Sequence, residues 1–136
     1  MTRKIPIRSR KQRGQSLLET ALMIVVIFNV VFWIFEVGWL TYTHSVMADA
    51  ANEGVRYAIV RSGGDSAGTK AKVLTFARTS LHNTNAISVS VNFPAGNATP
   101  PNLVEVTVSY TYVPWLSPFI NTPTMKAYAR GSMVAP

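Results

Sequence analysis

The chain has 136 residues, no cysteine and an apolar share of 48%, enough for one small domain and one spanning helix. A disulfide framework, a thiolate metal site and a cysteine nucleophile are excluded. The formal charge of +7 is concentrated: residues 1–14 hold six of the 13 Lys and Arg (Arg3, Lys4, Arg8, Arg10, Lys11, Arg13) and none of the acids, so the rest is near +1. A nucleic-acid-binding arm is disfavoured, because an apolar run follows the basic segment directly and no basic stripe appears elsewhere.

Sixteen residues without charge separate Glu19 from Glu36. With Leu17, Leu18 and the segment 37–40, the apolar stretch reaches the roughly 20 residues that a bilayer-crossing helix needs. It is too long for the core of a secretory signal peptide. Basic residues before the span predict a cytoplasmic N-terminus and an outer C-terminal domain. Trp33, Trp39 and Tyr42 suit the outer interfacial belt. Three polar residues disturb a plain anchor: Glu19 near the start, Asn29 in the middle and Glu36 near the end. Lipid offers no hydrogen bonds, so such groups face protein, water or their own backbone. Asn29 is read as a helix–helix contact or as an amide bonded to its own helix, and Glu36 as a group at headgroup level or a contact residue. If a peptidase cuts after Gly14, Gln15 carries a new cationic amine four residues from Glu19. Residues four apart share a helix face, and an acid favours a helix N-terminus. Between parallel helices, Glu19 of one subunit can instead meet the amine of a neighbour, neutralising two charges that are costly apart.

Helical spacing continues through residues 48–60, with Val46, Ala50, Val55 and Ile59 along one face and Ala51, Tyr57 and Ala58 beside it. Gly54 costs about 1 kcal/mol against Ala in a helix interior, which points to close packing there. Glu53 and Arg56 are an i, i+3 pair, either an ordinary surface pair or a charged rung toward neighbouring subunits. One helix from Ser16 to Val60 would be roughly 65–70 Å long. The Ser62–Asp65 stretch ends it, and Ser66 is read as the cap of a second helix over about residues 67–82, with Val73, Leu74, Ala77 and Leu81 on its apolar face. Ile87, Val89 and Val91 alternate with polar residues in a first strand, and Val104, Val106, Val108 and Tyr110 do so in a second. Residues 94–102 form a loop, residues 114–119 an aromatic loop, and Met125–Met133 a third strand. Trp115, Leu116 and Phe119 either enter the small core or meet a partner. The expected fold is α+β: a leader at 1–14, a long helix at 15–62 with its membrane half at 17–40, and a small outer domain at 63–136 with one short helix and a three-stranded antiparallel sheet. His44 and His82 have no metal-ligand spacing, and no phosphate loop or nucleophile motif appears. An enzyme is not expected, and no cofactor is implied.

The order basic leader, Gly14, Glu19, apolar helix resembles the class III signal of type IV prepilins. Glu36-Val37-Gly38-Trp39 resembles the E-x-G motif that closes the apolar helix of TadE-like proteins. Ala50-Ala51-Asn52-Glu53-Gly54-Val55-Arg56-Tyr57-Ala58 resembles their A-A-x-E-G-x-R-Y-A signature. The likeness runs from about Arg13 to Val60. It implies a pilin or pseudopilin of the tight-adherence branch of type IV filaments, with Gly14–Gln15 as the bond cut by a prepilin peptidase and Glu19 as the assembly residue. Asn29, Glu36, Gly38, Glu53, Gly54, Arg56 and Tyr57 become the helix interface. The implied partners are other pilin subunits, the peptidase, an inner-membrane assembly platform and, before assembly, the bilayer, with no nucleic acid. The implied location is the bacterial inner membrane and then an extracellular filament. The sequence departs from typical type IV pilins at Gln15, where they begin with Phe or Met. The rival reading is a single-span accessory protein of a secretion or adhesion system that never enters a filament.

Overall fold

The computed structural model describes residues 10–61, 64–81, 83–96, 101–114 and 122–133. Most of the basic N-terminal segment, Ser62, Gly63, His82 and residues 115–119, expected as an aromatic loop, lie outside the described residues. Among the described residues, two helices, a short 3-10 turn (Thr84–Ala86) and three strands follow one another: α1 (Arg10–Val60), α2 (Ser66–Ser80), β1 (Ile87–Asn92), β2 (Leu103–Thr111) and β3 (Thr124–Ser132). The chain divides into two compact units, Met1–Val37 and Gly38–Pro136. The α+β class, with its long apolar N-terminal helix and small antiparallel sheet, is the one the sequence predicts.

The described residues of the first unit belong to α1 and hold its apolar run. Its run is rich in Val, Ile and Phe, which are indifferent helix formers in water. In an apolar medium a helix satisfies every backbone group internally, so the same composition becomes suitable.

In the second unit the sheet has strand order β1-β2-β3, antiparallel throughout. Alternation decides its faces: Val104, Val106 and Val108 of central β2 are fully buried, and Ala127 and Ala129 of β3 are buried beside them. The helices cover that face. Val46, Met47, Ala50, Ala51, Val55 and Ala58 of α1 and Val73 and Ala77 of α2 complete the core. Each large side chain removed from water here contributes roughly 1.5–3 kcal/mol.

Two glycines set the close approaches. A Cβ on Gly54 would overlap Cγ2 of Val73 and come within 3.3 Å of Cγ1 of Val106, so α1, α2 and the sheet meet at this point. A Cβ on Gly131 would lie 2.5 Å from Cγ1 of Val55 and 2.6 Å from Cδ1 of Ile59, so β3 passes directly beneath α1. The first is the close packing that a glycine in a helix interior points to. The second stands at an inward position of a strand, where strand alternation alone does not distinguish a contact from a gap.

Local details differ from expectation. The second helix is capped by Asp65, not Ser66: its Oδ1 accepts a hydrogen bond of 2.8 Å from the Gly68 amide. Asp and Ser are comparable caps, and the choice falls to whichever side chain can reach an unpaired amide of the first turn. Gly64 has φ +74°, consistent with a glycine-dependent turn between α1 and α2. The third strand runs one residue earlier than the Met125–Met133 expectation at both ends. Helix α1 starts at Arg10, six residues before the expected Ser16.

Candidate helix interface

Every residue from Gly14 to Phe35 is exposed, and none of the most apolar window is covered by the chain itself. That helix is long and apolar enough to cross a membrane. Trp39 and Tyr42 stand with ring centroids 5.5 Å apart just beyond the run, the amphipathic pair that an interface between lipid and water favours.

Gly14 and Gln15 are both helical. A protease takes its substrate extended, so cutting Gly14–Gln15 would require this turn to unwind. Glycine is the ordinary residue least committed to a helix, and a Cβ at position 14 would meet nothing within 4 Å. Gln15 and Glu19 stand one turn apart on one face. The Thr20 hydroxyl donates to the Ser16 carbonyl at 2.8 Å, so the polar side chain beside Glu19 is satisfied locally.

Further along, Gln15, Leu22, Asn29 and Glu36 recur every seven residues and therefore share a face. Glu36 is half-buried and makes interactions of its own. Asn29 is exposed, and among the described residues no hydrogen bond from its amide to its own helix is formed. Gly38 is also exposed, with open space where a Cβ would be.

The second cluster of candidate residues lies elsewhere in chemical character. Glu53 pairs across to Lys72 of α2 at 4.0 Å, rather than to Arg56 along its own helix. Gly54 is buried at the three-way junction. Tyr57 is half-buried: a Cβ on Gly68 would lie 3.0 Å from its hydroxyl, and the Arg61 guanidinium lies 5.4 Å from its ring centroid. Arg56 is exposed. Three of these four residues therefore engage α2 or the core of their own subunit. The i, i+3 spacing of Glu53 and Arg56 was real, but a helix docked alongside offers Glu53 a competing cation.

Sequence reasoning missed one polar cluster. On the outward sheet face Glu105 and Arg130 stand directly opposite in register and form a hydrogen-bonded ion pair. The guanidinium of Arg130, followed by a hydrogen bond from Tyr128, holds the Glu105 carboxyl below its ordinary range, and Glu105 in turn raises Arg130. Partial loss of hydration beside its neighbours, then the hydrogen bond with Glu105, raises the exposed Tyr128 phenol. The signal for this cluster was cross-strand register, which fixes only once the pairing of β2 with β3 is known.

No curated protein and no solved structure matches the chain at a significant level. The segment with the exposed helix does match a known family: residues 14–56, from the proposed cut site to the arginine of the E-G-x-R string, fit the model of the TadE-like proteins.

Proposed function

We propose that the chain is a pilin-class subunit, major or minor, of a tight-adherence type IV filament, and that its role is structural rather than catalytic. In this reading it waits in the bacterial inner membrane with its basic leader in the cytoplasm. A prepilin peptidase removes residues 1–14, and an assembly platform moves the subunit into an extracellular fibre through its apolar helix. One observation carries the reading: the TadE-like match falls on a helix whose apolar surface the subunit leaves wholly uncovered, with Glu19 at its start. A lipid-to-protein transfer needs such a surface, because the helix must be stable in lipid first and against neighbouring helices afterwards. Glu19 then neutralises the new amine at Gln15 of a neighbour and fixes the axial register.

Mass spectrometry of protein recovered from cells tests maturation. An N-terminus at Gln15 is expected, and an intact leader overturns it. Glu19→Ala should leave membrane insertion unchanged and remove the subunit from sheared fibres. Undiminished incorporation of that variant would favour the membrane-anchored accessory protein instead.

A further inference from the structure

We propose that, before any assembly, α1 pairs in the bilayer with a second copy of itself in parallel, the two chains joined at mid-span by a hydrogen bond between their Asn29 amides. The inference rests on the membrane-spanning reading of α1 but not on entry into a filament.

Hydroxyls on α1 find partners at home. Thr20 donates to the Ser16 carbonyl and Thr43 to the Trp39 carbonyl, both at 2.8 Å. Asn29 does not do the same: its side chain is exposed and bonds to no described residue. It sits ten residues after Glu19 and seven before Glu36, at the centre of the uncharged run, where water is not at hand. A carboxamide carries both a donor and an acceptor, so it is complementary to itself. Every copy enters the membrane with the same orientation, because every copy carries the same basic leader. Asn29 of one copy therefore meets Asn29 of another at equal depth in a parallel pair, with no register shift.

The surroundings favour the amide as the specific contact. Between Leu22 and Val37 there is no Gly, Ala or Ser, so the close backbone approach that small residues permit is unavailable. Leu22, Val25, Val26 and Trp33 flank Asn29 on its face at helical spacing, an apolar seam interrupted by one polar residue. Glu36 shares that face, yet it lies about one turn before Trp39, whose ring stands beside that of Tyr42, at the level where headgroups and water screen like charges.

The absence of cysteine makes the test clean, since a single introduced thiol is the only one in the chain. Full-length chains carrying one cysteine at Leu22, Val25 or Val26, or on the opposite face at Ile24, Ile27 or Val31, are expressed in bacterial membranes, washed with alkaline carbonate and oxidised. Disulfide dimers are expected from the first three positions and not from the last three. In the Val25→Cys background, Asn29→Leu should lower the dimer fraction about three- to tenfold, the effect of one interhelical hydrogen bond, and Asn29→Gln should retain most of it. Release of the protein by carbonate would overturn the span and the pairing with it. Protein retained in the membrane with equal cross-linking on both faces, dimers indifferent to Asn29→Leu, or cross-links solely to a different protein would overturn the pairing alone.

Discussion

Residues 14–37 and residues 38–133 use the same apolar side chains to opposite ends. In the first segment Leu22, Ile27, Phe28 and Phe32 are all exposed, whereas in the second Met47, Val73, Val104 and Val106 are fully buried. The difference is not hydrophobicity but what covers it. Downstream residues are covered by other parts of the same chain, so their burial stabilises the subunit. Upstream residues are left uncovered by the chain itself, so under the proposed function their burial energy is available to insertion and assembly. Mutations should separate the two accordingly.

The largest expected contrast comes from truncating one side chain in each region. Met47→Ala should destabilise the outer domain by about 2–5 kcal/mol, read from hydrogen exchange of the β2 amides in detergent. Phe28→Ala should leave that protection unchanged. Equal effects would erase the distinction. Next come the contact glycines. Gly54→Ala gains about 1 kcal/mol of helix propensity. The new methyl nevertheless overlaps fully buried Val73, and overpacking of this kind costs about 1–3 kcal/mol, so a net loss is expected. A Gly38→Ala control, made where a Cβ meets open space, should keep the full propensity gain in α1 and leave the β2 amides as protected as in the parent. Asp65→Ala should cost about 1 kcal/mol by removing the cap of α2, with the Gly68 amide the first to lose protection.

The smallest effect is electrostatic and belongs to the outward face. Because Arg130 lowers the Glu105 carboxyl in the folded state, the unfolded chain binds more protons through the acid range. The pair's contribution is therefore complete above the ordinary carboxyl range and fades as pH falls through the lowered folded value. Both groups are in contact with water, so the slope should be shallow and weaken with salt. Glu105→Gln should remove that portion of the acid dependence and leave the Met47 and Gly54 effects intact.

The candidate site is unevenly legible in the sequence for the same physical reason. Gly14, Glu19, Asn29 and Glu36 lie on a helix, whose faces follow from spacing alone, and the exposure of Gly14, Glu19 and Asn29 beside or within an apolar run needed no knowledge of the rest. Glu53, Gly54 and Tyr57 lie on the part of α1 that docks. Their spacing told which residues share a face, but not that Lys72, Val73 and the start of α2 would occupy it. Strand alternation likewise gave the inward valines of β2, while the pairing of Glu105 with Arg130 depended on register across 25 residues of chain.

What the sequence determined by itself is local and periodic: the apolar run, the basic segment before it, the α+β order of elements and the buried face of each strand. These follow from side chains within a few residues of one another, where backbone geometry is the only ruler needed. Tertiary structure decided which glycines are contact points, which carboxylate meets which cation, and which part of α1 is buried by its own subunit. Those outcomes depend on surfaces brought together from distant parts of the chain, and no spacing along it encodes them.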